Sequence, residues 1–359
     1  MTQNDSRRVL VTGGAGFVGA NLCTGLRHRR PGWEVVALDS LHRRGSELNP
    51  PRLREAGVTF VQGDVRNPDD LAAVGEFDAL VECSAEPSVL AGVDGSTDFV
   101  VHTNLLGAYN CLEVARRRSA DLVFLSTSRV YPVEPLESAG WTEAETRFEL
   151  HGDQDQPGLS AAGVAEDFTL EGWRTLYGTT KLAAEHLIAE YAQAFGMRTV
   201  VNRCGVIAGP WQMGKVDQGV FTHWMLSHYL GRPLSYIGYG GKGKQVRDLI
   251  HVDDVVDLIE MQLADPDAWA GSTFNVGGGR DSSLSLLETT ELCRELTGNE
   301  VPIGPTGESR PGDLRIYISD CRRLYGHTGW RPRRGSRRIL EDIFGWISAN
   351  EASVTATLG

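Results

Sequence analysis

The chain has 359 residues, of which 41% are hydrophobic, and its formal net charge is −12. This length is enough for one large or two moderate domains around a substantial core. The negative charge argues against a general nucleic-acid-binding protein, although a local basic pocket can still hold a phosphorylated ligand. No apolar run reaches the ~20 residues of a membrane span, and no apolar secretory segment precedes Val9, which predicts a cytoplasmic protein.

An apolar strand followed by spaced glycines opens the chain. Residues 9–11 lead into Gly13, Gly16 and Gly19, and a helix-compatible run begins at Ala20. The glycines allow a tight turn, close approach of backbone N–H groups to a pyrophosphate, and close packing of the helix on the strand. A glycine-rich turn that binds no ligand can have the same spacing, so the strands that follow are needed to distinguish a dinucleotide site from such a turn. The predicted dinucleotide contacts are Gly13, Gly16, Phe17, Val18 and Gly19.

A second apolar strand, residues 34–38, is followed by Asp39, twenty residues after Gly19. A carboxylate at this place accepts hydrogen bonds from the adenosine ribose hydroxyls and repels a 2′-phosphate. Arg43 and Arg44 lie just downstream and partly offset this charge. The spacing therefore favours NAD over NADP as the cofactor.

Three further apolar strands end in polar residues. Residues 58–65 include Asp64 and Val65, residues 77–84 end in Ser84, and residues 121–127 end in Thr127. Strands that alternate with helices predict a doubly wound parallel sheet. Because ligands collect beyond the carboxyl ends of such strands, we expect Asp39, Asp64, Ser84 and Thr127 to converge on one crevice.

Two segments after the fifth strand differ in regularity. Residues 134–173 have the poorest pattern of the chain and predict a long loop or insertion near the site. Tyr177 and Lys181 then open a strongly helical run and, being four residues apart, share one helix face.

The Tyr177 and Lys181 pair has a chemical use. A nearby ammonium and the nicotinamide of NAD+ lower the pKa of a tyrosine from about 10 toward the range of a general base at neutral pH. The same spacing occurs in ordinary amphipathic helices. Here it follows a dinucleotide pattern and a strand-end hydroxyl, Thr127, in the required order. We therefore predict Tyr177 as a general base that Lys181 assists.

Five motifs together resemble those of the extended short-chain dehydrogenase/reductases, the NAD-dependent nucleotide-sugar epimerases and dehydratases. The motifs are TGGAGFVG at 12–19, STSRVY at 126–131, YGTTK at 177–181, RDLIHVDD at 247–254 and FNVGG at 274–278. The resemblance implies a catalytic triad of Thr127, Tyr177 and Lys181. It also implies that Asn104 supports the site, that Cys204 lies in a segment lining the nicotinamide, and that the protein is a homodimer or homotetramer.

Positions 128 and 129 separate the branches of this family. Nucleotide-sugar 4,6-dehydratases are expected to carry an Asp-Glu pair there, which protonates the leaving hydroxide and removes the proton next to the ketone. This chain has Ser128 and Arg129 instead, so elimination is not expected.

A narrower resemblance, to the CDP-paratose 2-epimerases (also called CDP-tyvelose 2-epimerases), rests on residues 141–147, 217–219 and 243–248 and on the fifty-residue spacing from Thr127 to Tyr177. Glu86 differs from the residue that is usual at this position in that branch.

The resemblance also implies the architecture and the partners. We expect a Rossmann-type α/β fold, with a doubly wound parallel sheet and a smaller C-terminal α/β substrate-binding domain. The NAD-binding domain is expected at residues 1–205 plus roughly 245–275, the nucleotide-sugar-binding domain at roughly 206–244 plus 276–350, and a flexible tail at 351–359. The ligand is a nucleotide-diphosphate sugar, with a CDP-sugar favoured, and no metal site is expected.

Two arginines are candidates for diphosphate contacts. Arg247 and Arg310 can each hold phosphate oxygens in a bidentate manner, and the alternative is a salt bridge, such as Arg247 with Asp248. The expected substrate contacts are Glu86, Ser128, Arg129, Gln218, Gln245, Arg247 and Arg310.

Three functions remain open at this point. The leading hypothesis is an NAD-dependent epimerase of a CDP-hexose, which forms a transient keto-sugar and returns hydride from bound NADH. A UDP- or GDP-sugar 4-epimerase would use the same triad. A non-catalytic NAD-binding regulatory protein is the third, and the intact triad speaks against it.

Overall fold

The computed structural model describes residues 6–93, 95–214, 218–307 and 309–358. Asp217, part of one motif of the narrower resemblance, lies outside the described residues. The chain divides into two compact units. The first consists of Met1–Thr127, Leu176–Arg203 and Val255–Thr273, and the second of Ser128–Thr175, Cys204–Asp254 and Phe274–Gly359.

The strands of the described residues are short and numerous. They are β1 (Arg8–Thr12), β2 (Glu34–Asp39), β3 (Thr59–Gln62), β4 (Ala79–Glu82), β5 (Asp121–Thr127), β6 (Trp141–Glu143), β7 (Phe148–Leu150), β8 (Leu159–Ser160), β9 (Gly163–Val164), β10 (Thr199–Cys204), β11 (Val206–Ala208), β12 (Leu234–Ile237), β13 (Val246–His251), β14 (Ser272–Val276), β15 (Ser283–Ser285), β16 (Ile303–Thr306) and β17 (Ile316–Tyr317).

The α-helices alternate with these strands. They are α1 (Phe17–Arg29), α2 (Asn49–Glu55), α3 (Pro68–Ala73), α4 (Asp98–Val101), α5 (Gly107–Arg117), α6 (Val133–Glu137), α7 (Leu176–Phe195), α8 (Val220–Tyr229), α9 (Val252–Ala264), α10 (Pro266–Trp269), α11 (Leu286–Thr297), α12 (Arg322–Thr328), α13 (Ser336–Ala349) and α14 (Glu351–Leu358). Among the described residues, none of these helices has the length and apolarity needed to cross a bilayer.

The first unit is organised by a seven-stranded sheet in the order β14-β10-β5-β4-β1-β2-β3. The strands from β1 to β5 pair in parallel. Because β1 lies between β2 and β4, the strand order reverses there, and a crevice opens beyond the carboxyl end of β1. The predicted doubly wound parallel sheet is confirmed, and its switch point lies at the glycines that follow β1.

Helix α7 is part of the core of the first unit. Its sequence is rich in alanine and leucine and holds no proline, as a long helix requires. Ala184 and Ile188 join Leu122 and Phe124 of β5 and Leu112 of α5 in one buried cluster. Each large apolar side chain buried in this way contributes about 1.5–3 kcal/mol, so packing against the sheet fixes the helix that carries Tyr177.

The second unit has its own sheet and core. Strands β11, β13 and β15 lie side by side, and β17 pairs with β13. The cluster around Phe221, Trp224 and Ile343 is buried, and the rings of Trp224 and Tyr236 stack with centroids 6.0 Å apart. Most aromatic residues between 209 and 243 therefore contribute to a core.

The unit boundaries differ from the predicted domains at residues 128–175 and 245–254, which belong to the second unit. The stretch 134–173 is a folded insertion that contains α6 and the hairpins β6–β7 and β8–β9. Phe148 of β7 packs with Val246 and Ile316, and its N–H donates to the Lys244 carbonyl over 3.0 Å. These contacts attach the insertion to the second unit, so of the two predicted alternatives, a long loop or an insertion, the structure shows a folded insertion.

The prediction of a flexible C-terminal tail must also be corrected. Residues 351–358 form α14, Val354 is buried, and the Tyr229 hydroxyl donates to the Glu351 carboxylate over 3.0 Å. Among residues 351–357 only Val354 is buried, which leaves no hydrophobic period in the sequence from which the helix could be predicted.

Asp248 of β13 is a buried carboxyl group in the second unit. It accepts a hydrogen bond from the Gly279 N–H over 3.2 Å, and burial raises its pKa to about 6. The folded protein therefore keeps a proton that the unfolded chain releases near pH 4. Its charging thus makes folding less favourable as the pH rises through this window.

We expect the Asp248→Asn variant to remove this titration. The difference in unfolding free energy between variant and wild type should move in favour of the variant by about 2 kcal/mol between pH 4 and pH 7. Denaturant unfolding at several pH values measures this difference, and no further change is expected between pH 7 and pH 8. A difference that does not vary with pH would contradict the raised pKa.

Candidate active site

The turn between β1 and α1 requires its glycines. Gly13 has a φ of 65°, which other residues adopt only with strain, and a Cβ there would lie 2.9 Å from the carbonyl carbon of Cys83. A Cβ on Gly19 would overlap the carbonyl oxygen of Gly13. Gly16 caps α1 without a side chain, so the first amides of the helix stay available to an anion. Phe17 and Val18 form the first turn of α1.

A pocket in the first unit is lined by six of the thirteen predicted cofactor residues and by Glu86, but not by Tyr177 or Lys181. Its lining includes Gly13, Gly16, Asp39, Asp64, Val65, Ser84 and Glu86. Thr127 is not among the lining residues, although it was expected at the same crevice. Cys204 is buried at the end of β10 and belongs to the second unit.

Asp39 is fixed by the backbone around it. One carboxylate oxygen accepts from the Ala15 N–H over 3.0 Å, and the other accepts from the Leu41 N–H over 2.8 Å. Burial raises the pKa of Asp39, and these hydrogen bonds oppose the rise. Each oxygen keeps a second lone pair, so the carboxylate can still accept hydrogen bonds from hydroxyl groups of a ligand.

Asp64 has a different environment in the same pocket. Its carboxylate forms an ion pair with Arg66 over 2.6 Å, and this arginine lowers the pKa of Asp64. Because the charge of Asp64 is partly neutralised, Asp39 is the stronger barrier to a second phosphate on the ribose.

Asn104 holds a loop of this pocket in place. It lies in a π-helical turn, His102–Leu106, just before α5. Its amide oxygen accepts from the Glu86 N–H over 2.7 Å, and its amide nitrogen donates to the Glu86 carbonyl over 3.0 Å and to the Thr180 hydroxyl over 3.3 Å. The side chain thereby links the loop after β4 to α7, next to Lys181.

A buried ionic network ties α7 to the end of β5. The Glu185 carboxylate accepts hydrogen bonds from the Arg203 guanidinium, the shortest of them 2.7 Å, and from the hydroxyl of Ser126. Ser126 directly precedes Thr127, and Glu185 lies two helical turns after Tyr177. The network therefore fixes the helix that carries Tyr177 and Lys181 relative to Thr127.

Lys181 has a partner that the sequence did not reveal. Its ammonium lies 3.3 Å from a Glu82 carboxylate oxygen and 3.9 Å from the centre of the Phe124 ring. Both side chains are only 2% exposed. Burial raises the pKa of Glu82, and the charge of Lys181 acts in the opposite direction.

The other missed residues are Ser126, Glu185 and Arg203. A signal existed for one of them, because Tyr177, Lys181 and Glu185 are spaced by four residues and share a helix face. Glu82 had no such signal, since a single acid at the end of an apolar strand is common in this sheet.

The predicted substrate residues other than Glu86 belong to the second unit. Arg247 forms an ion pair with Asp313 over 2.8 Å, so its carboxylate partner is not Asp248. Burial lowers the pKa of His223, and the positive charges of Arg232 and Arg310 lower it further. Arg310 therefore lies close to His223.

Four further predicted substrate residues complete the second unit's set. Ser128 and Arg129 form the 3-10 turn Ser128–Val130, where Arg129 donates to the Gly312 carbonyl over 2.8 Å. Gln245 is buried and donates to the Ile237 carbonyl over 3.0 Å. Gln218 lies two residues before α8.

Sequence comparison gives a consistent set of relatives. The profile of the NAD dependent epimerase/dehydratase family matches residues 9–277. A CDP-paratose 2-epimerase from Salmonella typhi is 29% identical over 357 residues, which cover 95% of this chain and 99% of that protein. A dTDP-glucose 4,6-dehydratase from Mycolicibacterium smegmatis is 30% identical, with 96% of this chain and 94% of that protein covered.

Structural comparison agrees with the sequence relatives. A crystal structure of the Thermus thermophilus UDP-glucose 4-epimerase in complex with NAD matches with a TM-score of 0.75 and 28% identity. The match covers 95% of this chain and 99% of that one.

The glycine geometry leads to a testable prediction. Gly19→Ala should lower the free energy of unfolding by about 1–3 kcal/mol, because the added Cβ meets backbone. It should also weaken NAD binding about tenfold or more, since the loop amides shift. Calorimetry and denaturant unfolding measure both. Gly345→Ala, which meets nothing within 4 Å on the exposed side of α13, is the matched control and should bind NAD like the wild type. Unaltered NAD affinity in Gly19→Ala would contradict the assigned role of the loop.

Proposed function

This chain belongs to the NAD dependent epimerase/dehydratase family, and on that premise we propose that it epimerises a nucleotide-activated sugar, with a CDP-hexose inverted at C2 as the favoured substrate. The observation that carries the proposal is the Ser126–Glu185–Arg203 network, which holds Tyr177 and Lys181 on a helix fastened beside Thr127.

The cofactor of the family is NAD, and the residues of the first unit fit it. The glycine turn leaves a cradle that a Cβ would fill, with uncapped amides for the pyrophosphate. Asp39 would accept hydrogen bonds from the adenosine ribose hydroxyls, Asp64 and Val65 line the same pocket, and Lys181 would hold the second ribose. Bound NAD supplies the hydride acceptor of the first half-reaction and the hydride donor of the second.

The chemistry of the chain's own residues is proton transfer. Tyr177, as a phenolate that Lys181 stabilises, would remove the proton from the sugar hydroxyl as the carbon is oxidised. The Thr127 hydroxyl would donate a hydrogen bond to the oxygen of the resulting ketone. After the keto-sugar has presented its opposite face, Tyr177 would give the proton back to that oxygen. The stereocentre is inverted without net oxidation.

The second unit supplies candidates for holding the nucleotide. The planar guanidinium groups of Arg247 and Arg310 can each bind diphosphate oxygens in a bidentate manner. Asp313 holds the Arg247 guanidinium in a defined orientation. Elimination chemistry is disfavoured because Ser128 and Arg129 provide no carboxyl pair, and Arg129 is already engaged with the Gly312 carbonyl.

A UDP- or GDP-sugar 4-epimerase is the second candidate, and the similarity to a UDP-glucose 4-epimerase supports it. The two candidates differ in substrate, not in the triad. Incubation with CDP-, UDP- and GDP-hexoses, followed by NMR of the product stereochemistry, separates them. Inversion at C2 of a CDP-hexose supports the first, and inversion at C4 of a UDP- or GDP-hexose replaces it with the second.

We expect Tyr177→Phe to lower kcat by about 10²–10⁴-fold, because the general base is lost, while NAD affinity is retained. Tyr109→Phe removes an exposed hydroxyl and should leave kcat unchanged. Turnover by the Tyr177 variant at the wild-type rate would contradict the mechanism. So would a product that, after the reaction in heavy water, carries deuterium on carbon.

We also propose that the protein is a homodimer. Leu106, Tyr109 and Phe195 are 45%, 42% and 55% exposed, which is unusual for side chains of this size. The rings of Tyr191 and Phe195 meet edge to face with centroids 5.0 Å apart, and the Arg116 guanidinium of α5 lies 4.9 Å from the Phe195 ring. Neighbouring apolar side chains on α5 and α7 are the kind of surface that a second copy covers.

A charged substitution tests the proposed dimer surface. Tyr109→Glu should convert the dimer to a monomer in light scattering, because a carboxylate would be buried without a partner. Trp173→Glu places the same charge at another exposed aromatic position, in the second unit, and should keep the wild-type mass. A Tyr109→Glu protein with the wild-type mass would show that this surface is not the interface.

A further inference from the structure

The pair formed by Glu82 and Lys181 is the least hydrated ionic contact of the proposed catalytic helix. The ammonium has one carboxylate oxygen at 3.3 Å and the face of Phe124 at 3.9 Å. The other oxygen of Glu82 is also buried, and besides Lys181 only the backbone N–H of Ser84 stabilises the charged carboxylate among the described residues. Neither group therefore has much solvation apart from the other.

Buried charges of this kind depend on each other. A lysine or a glutamate alone in such a place loses its charge, because desolvation disfavours the ionised form. The two charges persist together since each lowers the electrostatic cost of the other. Removing either side chain should therefore neutralise the one that remains.

The other groups around the pair do not replace Glu82. Cys111 of α5 is buried, and burial raises the pKa of its thiol far above neutrality. Thr12 of β1 offers a hydroxyl only. Glu185 is occupied by Arg203 and Ser126. Of the described groups that face Lys181 from β1, β4, β5, α5 and α7, Glu82 is the one carboxylate in contact with it.

We propose that Glu82 is a positioning residue of the reaction: its carboxylate keeps Lys181 charged and in place one helical turn from Tyr177. Lys181 then stabilises the Tyr177 phenolate, and Glu82 acts through it without touching substrate. This rests on the proposed function for its catalytic meaning, but the electrostatic link itself does not require turnover.

The test is a titration of Tyr177 in the intact protein. The phenolate absorbance of each variant is recorded against pH, and the curve of the same variant carrying Tyr177→Phe is subtracted. Glu82→Gln should move the midpoint of Tyr177 ionisation upward by about one pH unit, because Lys181 becomes neutral. Lys181→Met should produce a similar shift, and the double variant should shift no further than either single variant.

Several outcomes overturn the inference. An unchanged midpoint in Glu82→Gln means that Glu82 does not control the lysine charge, and a downward shift means that Glu82 only weakens a lysine that stays charged. Additive shifts in the double variant mean that the two residues act separately. A purely structural role would lower Tm without moving the midpoint.

Two features keep the test decisive. If Glu82→Gln does not fold, Glu82→Asp withdraws the carboxylate by one methylene group and should give a smaller upward shift, whereas no shift again overturns the inference. The titration also separates the two proposals. A shifted midpoint in a protein that epimerises no sugar supports the link and removes the proposed function, while epimerase activity with an unmoved midpoint does the reverse.

Discussion

Two buried ionic contacts on one face of α7 determine where the proposed chemistry takes place. Glu185 binds Arg203 and Ser126, and one turn earlier Lys181 binds Glu82. Charges buried in this way tolerate little displacement, since each would lose its partner without gaining water. The helix consequently has one position against β4, β5 and β10, and this position determines where Tyr177 lies.

The glycine turn and the helix solve different problems in the first unit. The turn must leave space between neighbouring backbone segments, and glycine provides it because a Cβ atom at these positions would collide with backbone atoms. The helix must hold charges at defined points, and it does so with long side chains that reach into the sheet. The second unit is stabilised mainly by its apolar core and by contacts that attach the folded insertion to β13, such as that of Phe148 with Val246.

The order and type of the main strands were predictable, because apolar runs with polar ends and spaced glycines are local signals. The glycine turn, Asp39 and the Tyr177–Lys181 helix have such signals. The partners of Lys181 and Arg247 do not, since Glu82 and Asp313 lie 99 and 66 residues away in sequence. The strands inside the predicted loop or insertion were not predictable because each is two or three residues long, too short for a period of two to emerge.

The π-helical turn at Asn104 makes chain length a constraint in its own right. Such a turn holds one residue more than an α-helical turn, so a single deletion within His102–Leu106 would convert it to regular α-helix while the residues on either side keep their relative orientation. The local widening that carries Asn104 would be lost, and its amide would no longer be held where it reaches both Glu86 and Thr180. Among related chains, a gap in this segment would therefore be as disruptive as replacement of the asparagine.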